Sequence, residues 1–283
     1  MDIASLIRAN GGVMHRSSLR AAGLSSYRMR AAADAGLVVR AGRDRLAVPG
    51  TSMARVRAAT IGARVTCVSA AQEYGLWTRS DPNLHLSVPR GFSAQTSVDE
   101  VVHWSRLPVP VGRDAAIEPL PNALVHVARC LPFDYAVATF DAALRTGSLS
   151  VDTMRQVAAT VGGRVAEVVA HTDARADSGS ESLMRVRLAS CGIVMHPQVV
   201  LDGHPVDGLV GRYLVLQVDG FAYHRDPAQR ARDLAQDRRL VLRGYTVFRY
   251  PSRAVEDRWP AIEREVLEAV GLGLHEHPHR RTG

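Results

Sequence analysis

Residues 206–224 read VDGLVGRYLVLQVDGFAYH, and this stretch decides the fold of the C-terminal part of the chain. Two apolar, acid-bearing segments, one carrying Val206-Asp207 and one running over 213–219, flank a short turn at Gly211-Arg212. The pattern predicts two paired strands. In the second, Leu214, Leu216 and Val218 share one face and Val215, Gln217 and Asp219 the other, because side chains repeat every two residues along a strand. That puts a polar, edge-facing row opposite Asp207. A carboxylate at the end of one strand with further oxygens on its neighbour suits a divalent cation, which takes several oxygen ligands from a small volume. Gly220 follows at once and His224 four residues later, close enough to serve as acid, base or ligand. A plainer reading stands beside this one: Asp207-Gly208 and Asp219-Gly220 are turn-forming pairs, and both acids then simply end strands.

Working outward, Ser180-Glu181 opens a helix over 182–190, and 199–201 with 205–206 forms a hairpin around Asp202-Gly203. A long helix over 227–242 carries Arg232 and Asp233 among several charges, a strand follows over 246–250, and an amphipathic helix over 261–270. Strands and helices in this order predict an α/β unit.

Residues 178–270 resemble the nuclease core of the PD-(D/E)XK superfamily, and within it the very-short-patch-repair endonucleases. The general pattern sets a first Asp before a Glu-x-Lys. Asp207 matches the Asp, but Gln217 stands at the Glu position and Asp219 at the Lys position, and a neutral amide is a poor magnesium ligand. The patch-repair branch lacks that Glu and Lys, and holds its metal by one Asp and a main-chain carbonyl with a His four residues after the Gly. Asp207, the Val218 carbonyl, Gly220 and His224 fit that version. The resemblance implies magnesium or manganese at Asp207, Val218 and Glu181, His224 moving a proton, Asp219 in an outer contact, and Arg232 on the scissile phosphate. Glu181 has an equal alternative as a first-turn acid favoured by the helix dipole.

All 35 basic residues are Arg, so no lysine is available for catalysis. Up to residue 57 there are 10 Arg against 3 acids, which places the whole net charge of +7 in the first fifth of the chain. A basic excess on a small segment is the footprint of a phosphate-backbone binder. Helices are expected over 3–8, from about 17, and over 25–35 with Ser25 as cap, followed by a hairpin whose tip holds Arg40, Arg43 and Arg45. Three helices and a basic hairpin make a winged helix-turn-helix, with Tyr27, Arg28 and Arg30 on the helix that enters the major groove. The segment resembles the N-terminal domain of AbiEi-type antitoxins. That likeness implies double-stranded DNA as partner, a possible cognate toxin, and a second function class: a repressor or antitoxin of a type IV toxin–antitoxin system with an inactive nuclease-like fold. A winged helix used only for protein contacts is the further alternative.

Between these ends, strands are expected over 65–69, 84–88 and 101–104, and helices over 123–128, 133–145, 150–161 and 163–171. His85 and His103 read as half-buried sheet residues without chemistry. Cys67, Cys130 and Cys191 are odd in number and far apart, which indicates neither a disulfide framework nor a zinc knuckle. The expected organisation is a multi-domain α/β protein: 1–55 a winged helix, 56–172 a mixed connector, 178–272 a restriction-endonuclease-like α/β/α domain, and 273–283 a flexible tail. At 46% hydrophobic and 22% charged the chain is globular. No apolar run approaches the roughly 20 residues of a membrane span and no signal-peptide core opens the chain, so the expected compartment is the cytoplasm.

Overall fold

The computed structural model describes residues 2–89, 91, 95–104, 107–220 and 227–277, with the side chains of 227–231 outside the description. The chain folds as two compact units, Met1–Leu131 with Leu149–Ala166, and Pro132–Ser148 with Glu167–Gly283. Both mix helices with small sheets.

The first unit opens with α1 (Ile3–Ala9), β1 (Val13–His15), α2 (Arg16–Ala21), α3 (Ser26–Asp34), β2 (Val39–Arg40) and β3 (Arg45–Ala47). The three strands form a sheet in the order β1-β3-β2, antiparallel throughout. Asp2 and Ser25 cap α1 and α3 through their side chains, satisfying amides that have no partner inside the helix. Ile7, Leu19, Met29, Val38 and Leu46 bury together beneath these elements. β1 was not expected; three residues are too short a run for a period to show.

α4 (Met53–Ile61), β4 (Arg64–Val65), α5 (Cys67–Glu73), β5 (Leu84–Ser87), β6 (Glu100–His103) and α6 (Leu120–Cys130) follow. The strand expected over 65–69 ends after two residues. Cys67 turns the chain with a φ of +52° and α5 begins there. The second sheet runs β4-β5-β6, with β5 and β6 parallel. Val13, Ala41 and Ala47 share a buried cluster with Ala59 and Ala116, so the N-terminal segment packs on the region after it within the first unit.

The stretch expected to be a connector is divided. α6 and α8 (Val151–Val161) belong to the first unit, α7 (Phe133–Arg145) to the second, and α9 (Gly163–Ala170) spans the passage. The second unit adds α10 (Gly179–Ser190), β7 (Met195–Leu201), β8 (His204–Val210), β9 (Leu214–Asp219), α11 (Pro227–Leu242), β10 (Thr246–Pro251), α12 (Ser252–Asp257) and α13 (Trp259–Gly271). Its sheet has the order β10-β9-β8-β7, with β10 parallel to β9 and the other pairs antiparallel. Asp202 and Gly203, at φ of +53° and +77°, turn the β7–β8 hairpin, as a two-residue loop between right-twisted strands requires.

β9 is interior to this sheet, between β10 and β8, and the row expected to face an edge is enclosed. Leu214 to Val218 are buried on both faces, so the alternation of Val215, Gln217 and Asp219 does not mark a solvent side. The start of the expected tail is also fixed, since the His275 carbonyl accepts from the Arg212 and Tyr213 N–H groups at 2.6 and 3.0 Å. Among the described residues no helix is long and apolar enough to cross a membrane.

Candidate functional site

Asp207 of the second unit lies where β8 and β9 part. The ladder pairs Gly208 with Leu216, and beyond it two side chains take over from the main chain. The Gln217 Oε1 accepts from the Asp207 N–H at 3.1 Å, and the Asp207 Oδ2 accepts from the Val218 N–H at 2.6 Å. This reciprocal exchange satisfies main-chain donors that would otherwise be stranded in a buried sheet. It also aims the Asp207 carboxylate at the far end of β9. On the other side, the pairings Pro197 with Gly208 and Val199 with Val206 leave Gln198 beside Asp207. Gln198 has a φ of +55°, uncommon for a residue with a side chain and worth about 1–3 kcal/mol of strain.

That conformation lets the Gln198 Nε2 donate to Glu181 Oε2 at 3.0 Å, and the Asp177 N–H donates to the same oxygen at 2.9 Å. Glu181 sits in the first turn of α10, 4% exposed, where burial raises its pKa against the pull of these bonds. Asp219 takes part in an ion-pair network. Arg249 of β10 donates to its Oδ1 at 2.6 Å and spans both oxygens of Asp237 on α11 at 2.9 Å. Burial disfavours the Arg249 charge, but these two carboxylates outweigh it and raise the pKa. Arg232, on α11, is exposed and lines a cleft with His204, Asp233 and Arg239. His224 lies outside the described residues. Asp207, Gln217, Val218 and Glu181 are thus held in one neighbourhood with Gln198, which sequence reasoning missed because its significance lies in a backbone angle.

In the first unit, Tyr27 is 81% exposed, and Arg28, Arg30, Arg40 and Arg43 are exposed as well. Ser25 spends its hydroxyl on the α3 cap, accepting from the Arg28 N–H at 3.3 Å. Arg45 is half-buried, and burial together with Arg64 lowers its pKa.

A second group escaped the sequence altogether. Cys67 at the start of α5, His85 on β5, His103 on β6 and Cys130 at the end of α6 bring their ligand atoms within 4.8 Å of one another, a set that can hold a metal ion. His85 Nδ1 lies 3.0 Å from His103 Nε2 and 3.9 Å from Cys130 Sγ. The hydrogen bond between the thiols raises the pKa of buried Cys67 and, with a bond from His85, lowers that of Cys130. Burial lowers His103 to about 4 and His126, whose ring stacks on it at 4.7 Å, to about 3. No short Cys or His spacing announces the group, because each member sits on a different element.

No protein-family profile matches the chain. Two curated relatives, the uncharacterized proteins Rv2248 and MT2308 of Mycobacterium tuberculosis strains, are each 29% identical over 203 residues, covering 66% of this chain and 73% of theirs. Among solved structures, the catalytic domain of the homing endonuclease I-Bth0305I covers 31% of this chain and 90% of its own, at 21% identity and a TM-score of 0.26. The RV2827C protein from Mycobacterium tuberculosis covers 65% of this chain and 80% of its own, at 16% identity and a TM-score of 0.30. At such scores neither structural likeness bears on the site, and its chemistry rests on the residues themselves.

Proposed function

We propose that the chain is a double-stranded-DNA-binding protein whose second unit is a divalent-metal-dependent endonuclease of the very-short-patch-repair type, hydrolysing DNA phosphodiesters. The observation that carries this reading is the hydrogen bond from the Val218 N–H to Asp207 Oδ2 at 2.6 Å. In an extended residue the N–H and C=O point to the same side of the strand. The Val218 carbonyl therefore lies on the side of Asp207, and a carboxylate beside a carbonyl is the donor pair that a hard cation takes. Gln217 has its oxygen committed to the Asp207 amide, so this pair does not depend on a carboxylate at that position. Glu181, buried nearby, offers a third oxygen once ionised. Magnesium or manganese bound there would supply charge stabilisation at the phosphate and a more acidic water.

The chain's own groups do the rest. Arg249 fixes Asp219 and Asp237 and so pins the end of β9. His224, from its spacing after Gly220, is assigned the proton transfer, and Arg232 the phosphate. The first unit presents Tyr27, Arg28 and Arg30 on α3, with Arg40 and Arg43 on the β2–β3 hairpin, as a winged-helix surface for duplex DNA. Gln217 in place of an acid favours a second reading, an antitoxin-like repressor whose nuclease fold is inactive.

Calorimetric titration with magnesium or manganese and a plasmid-nicking assay separate the two. On the proposal, wild type binds metal and nicks DNA, Asp207→Ala loses both, and Gln217→Ala keeps most of each. Wild type that does neither, with Gln217→Glu gaining both, establishes the repressor reading instead.

A further inference from the structure

We propose that Cys67, His85, His103 and Cys130 form a structural zinc site that ties α5, β5, β6 and α6 of the first unit together. The donor set selects the ion. Two thiolates and two imidazoles are the ligands of a borderline-soft metal, whereas magnesium, manganese and calcium prefer the oxygens gathered around Asp207.

The spacing selects the geometry. Zinc bonds of about 2.0–2.1 Å to nitrogen and about 2.3 Å to sulfur put tetrahedral ligands roughly 3.3–3.8 Å apart. The separations of 3.0 Å between His85 Nδ1 and His103 Nε2 and 3.9 Å between His85 Nδ1 and Cys130 Sγ flank that range, and no ligand pair exceeds 4.8 Å. Closing on an ion thus asks for shifts of a few tenths of an ångström to about 1 Å, within the reach of side-chain rotation.

An outer partner is already in place. His85 is 1% exposed, and its Nε2 lies 3.3 Å from Asp81 Oδ2, an ion-pair distance without the alignment of a good hydrogen bond. A carboxylate on the far nitrogen keeps the proton on Nε2 and turns the Nδ1 lone pair toward the other three ligands, the arrangement that orients zinc-bound histidines. His103 has its Nε2 directed at the same point. Four protein donors leave no open position for substrate, which makes the site structural rather than catalytic. Cys130, the exposed member, supplies the route by which the ion enters.

The test uses the full-length, untagged protein purified without chelator. Elemental analysis should find one zinc per chain after dialysis, and cobalt substitution should give intense tetrahedral bands with thiolate-to-metal charge transfer. The charge-transfer bands separate this site from the histidines of the C-terminal tail, which bring no thiolate. Cys130→Ser, at an exposed position, should lose the zinc and the charge-transfer bands without unfolding. Asp81→Asn should keep the ion with affinity weakened about 10- to 100-fold. Asp207→Ala should retain the zinc in full, so the result stands whether or not the second unit is a nuclease. Reduced wild type that takes up no more zinc than the Cys67→Ser, Cys130→Ser double variant overturns the proposal. So does a Cys67–Cys130 disulfide in the purified protein that, once reduced, still binds no zinc.

Discussion

Arg185→Met tests how the second unit holds its site. Arg185 on α10 donates to Asp141 Oδ2 of α7 at 2.8 Å and to the His171 carbonyl at 3.0 Å, and the other Asp141 oxygen accepts from the Asp173 N–H at 2.7 Å. Asp141 is 2% and Arg185 14% exposed at the side chain, so this pair is out of water. α10 also carries Glu181, and the pair therefore clamps one wall of the site onto α7. Methionine keeps most of the stem's volume and removes the charge, leaving a buried carboxylate with neutral partners. Breaking a buried pair in this way costs about 3–5 kcal/mol. A separate ceiling comes from titration. Asp141 can escape the penalty by taking a proton, and protonating an ordinary carboxyl at pH 7 costs about 1.36 kcal/mol for each of roughly three pH units, near 4 kcal/mol. At pH 5 the same ceiling is about 1.5 kcal/mol.

The sign follows from linkage. Burial already raises the Asp141 pKa while Arg185 holds it down, so removing Arg185 raises it further. The folded variant then binds more protons than the unfolded chain between the two pKa values, and its stability falls as pH rises through that window. Denaturant unfolding read by Trp259 fluorescence, in a background with Trp77 and Trp104 changed to Phe, isolates the second unit. The expected loss is about 3–4 kcal/mol at pH 7 and at most about 1.5 kcal/mol at pH 5, with Asp141→Asn recovering most of it in the Arg185→Met background. A loss below about 1 kcal/mol at pH 7, or one equal at both pH values, refutes the clamp.

Two further outcomes are expected. Gly211 has a φ of +59°, and a Cβ there would meet the His275 carbonyl, so Gly211→Ala should cost at least about 1 kcal/mol and release the segment after α13. Faster amide exchange at Arg212 and Tyr213, which donate to that carbonyl, checks it; unchanged protection at both would count against the anchor. For the DNA surface, affinity for duplex should fall steeply with salt, each neutralised phosphate adding about 0.9 to the log–log slope. Arg28→Ala and Arg30→Ala should weaken binding more than Arg8→Ala, and an affinity indifferent to salt would remove the electrostatic argument.

Several helices were legible in the sequence from a cap, from apolar spacing or from the turn residues that bound them. Ser25 accepts the expected amide, and the helices over 133–145 and 227–242 begin and end where the pattern set them. The β7–β8 hairpin was legible too, because Asp-Gly between apolar runs dictates a local turn. What lay beyond reach was decided by partners far along the chain. The interior place of β9 depends on β10 pairing with it in parallel along the edge that β8 leaves open, and a period of two cannot reveal that pairing. Asp219 meets Arg249 and Asp237 only through that strand. Cys67 and Cys130 stand far apart in the sequence and His85 and His103 read as sheet residues, yet folding the second sheet against α5 and α6 makes all four neighbours. Local propensity is written residue by residue and can be read that way; a constellation assembled from four elements exists only once the chain has closed on itself.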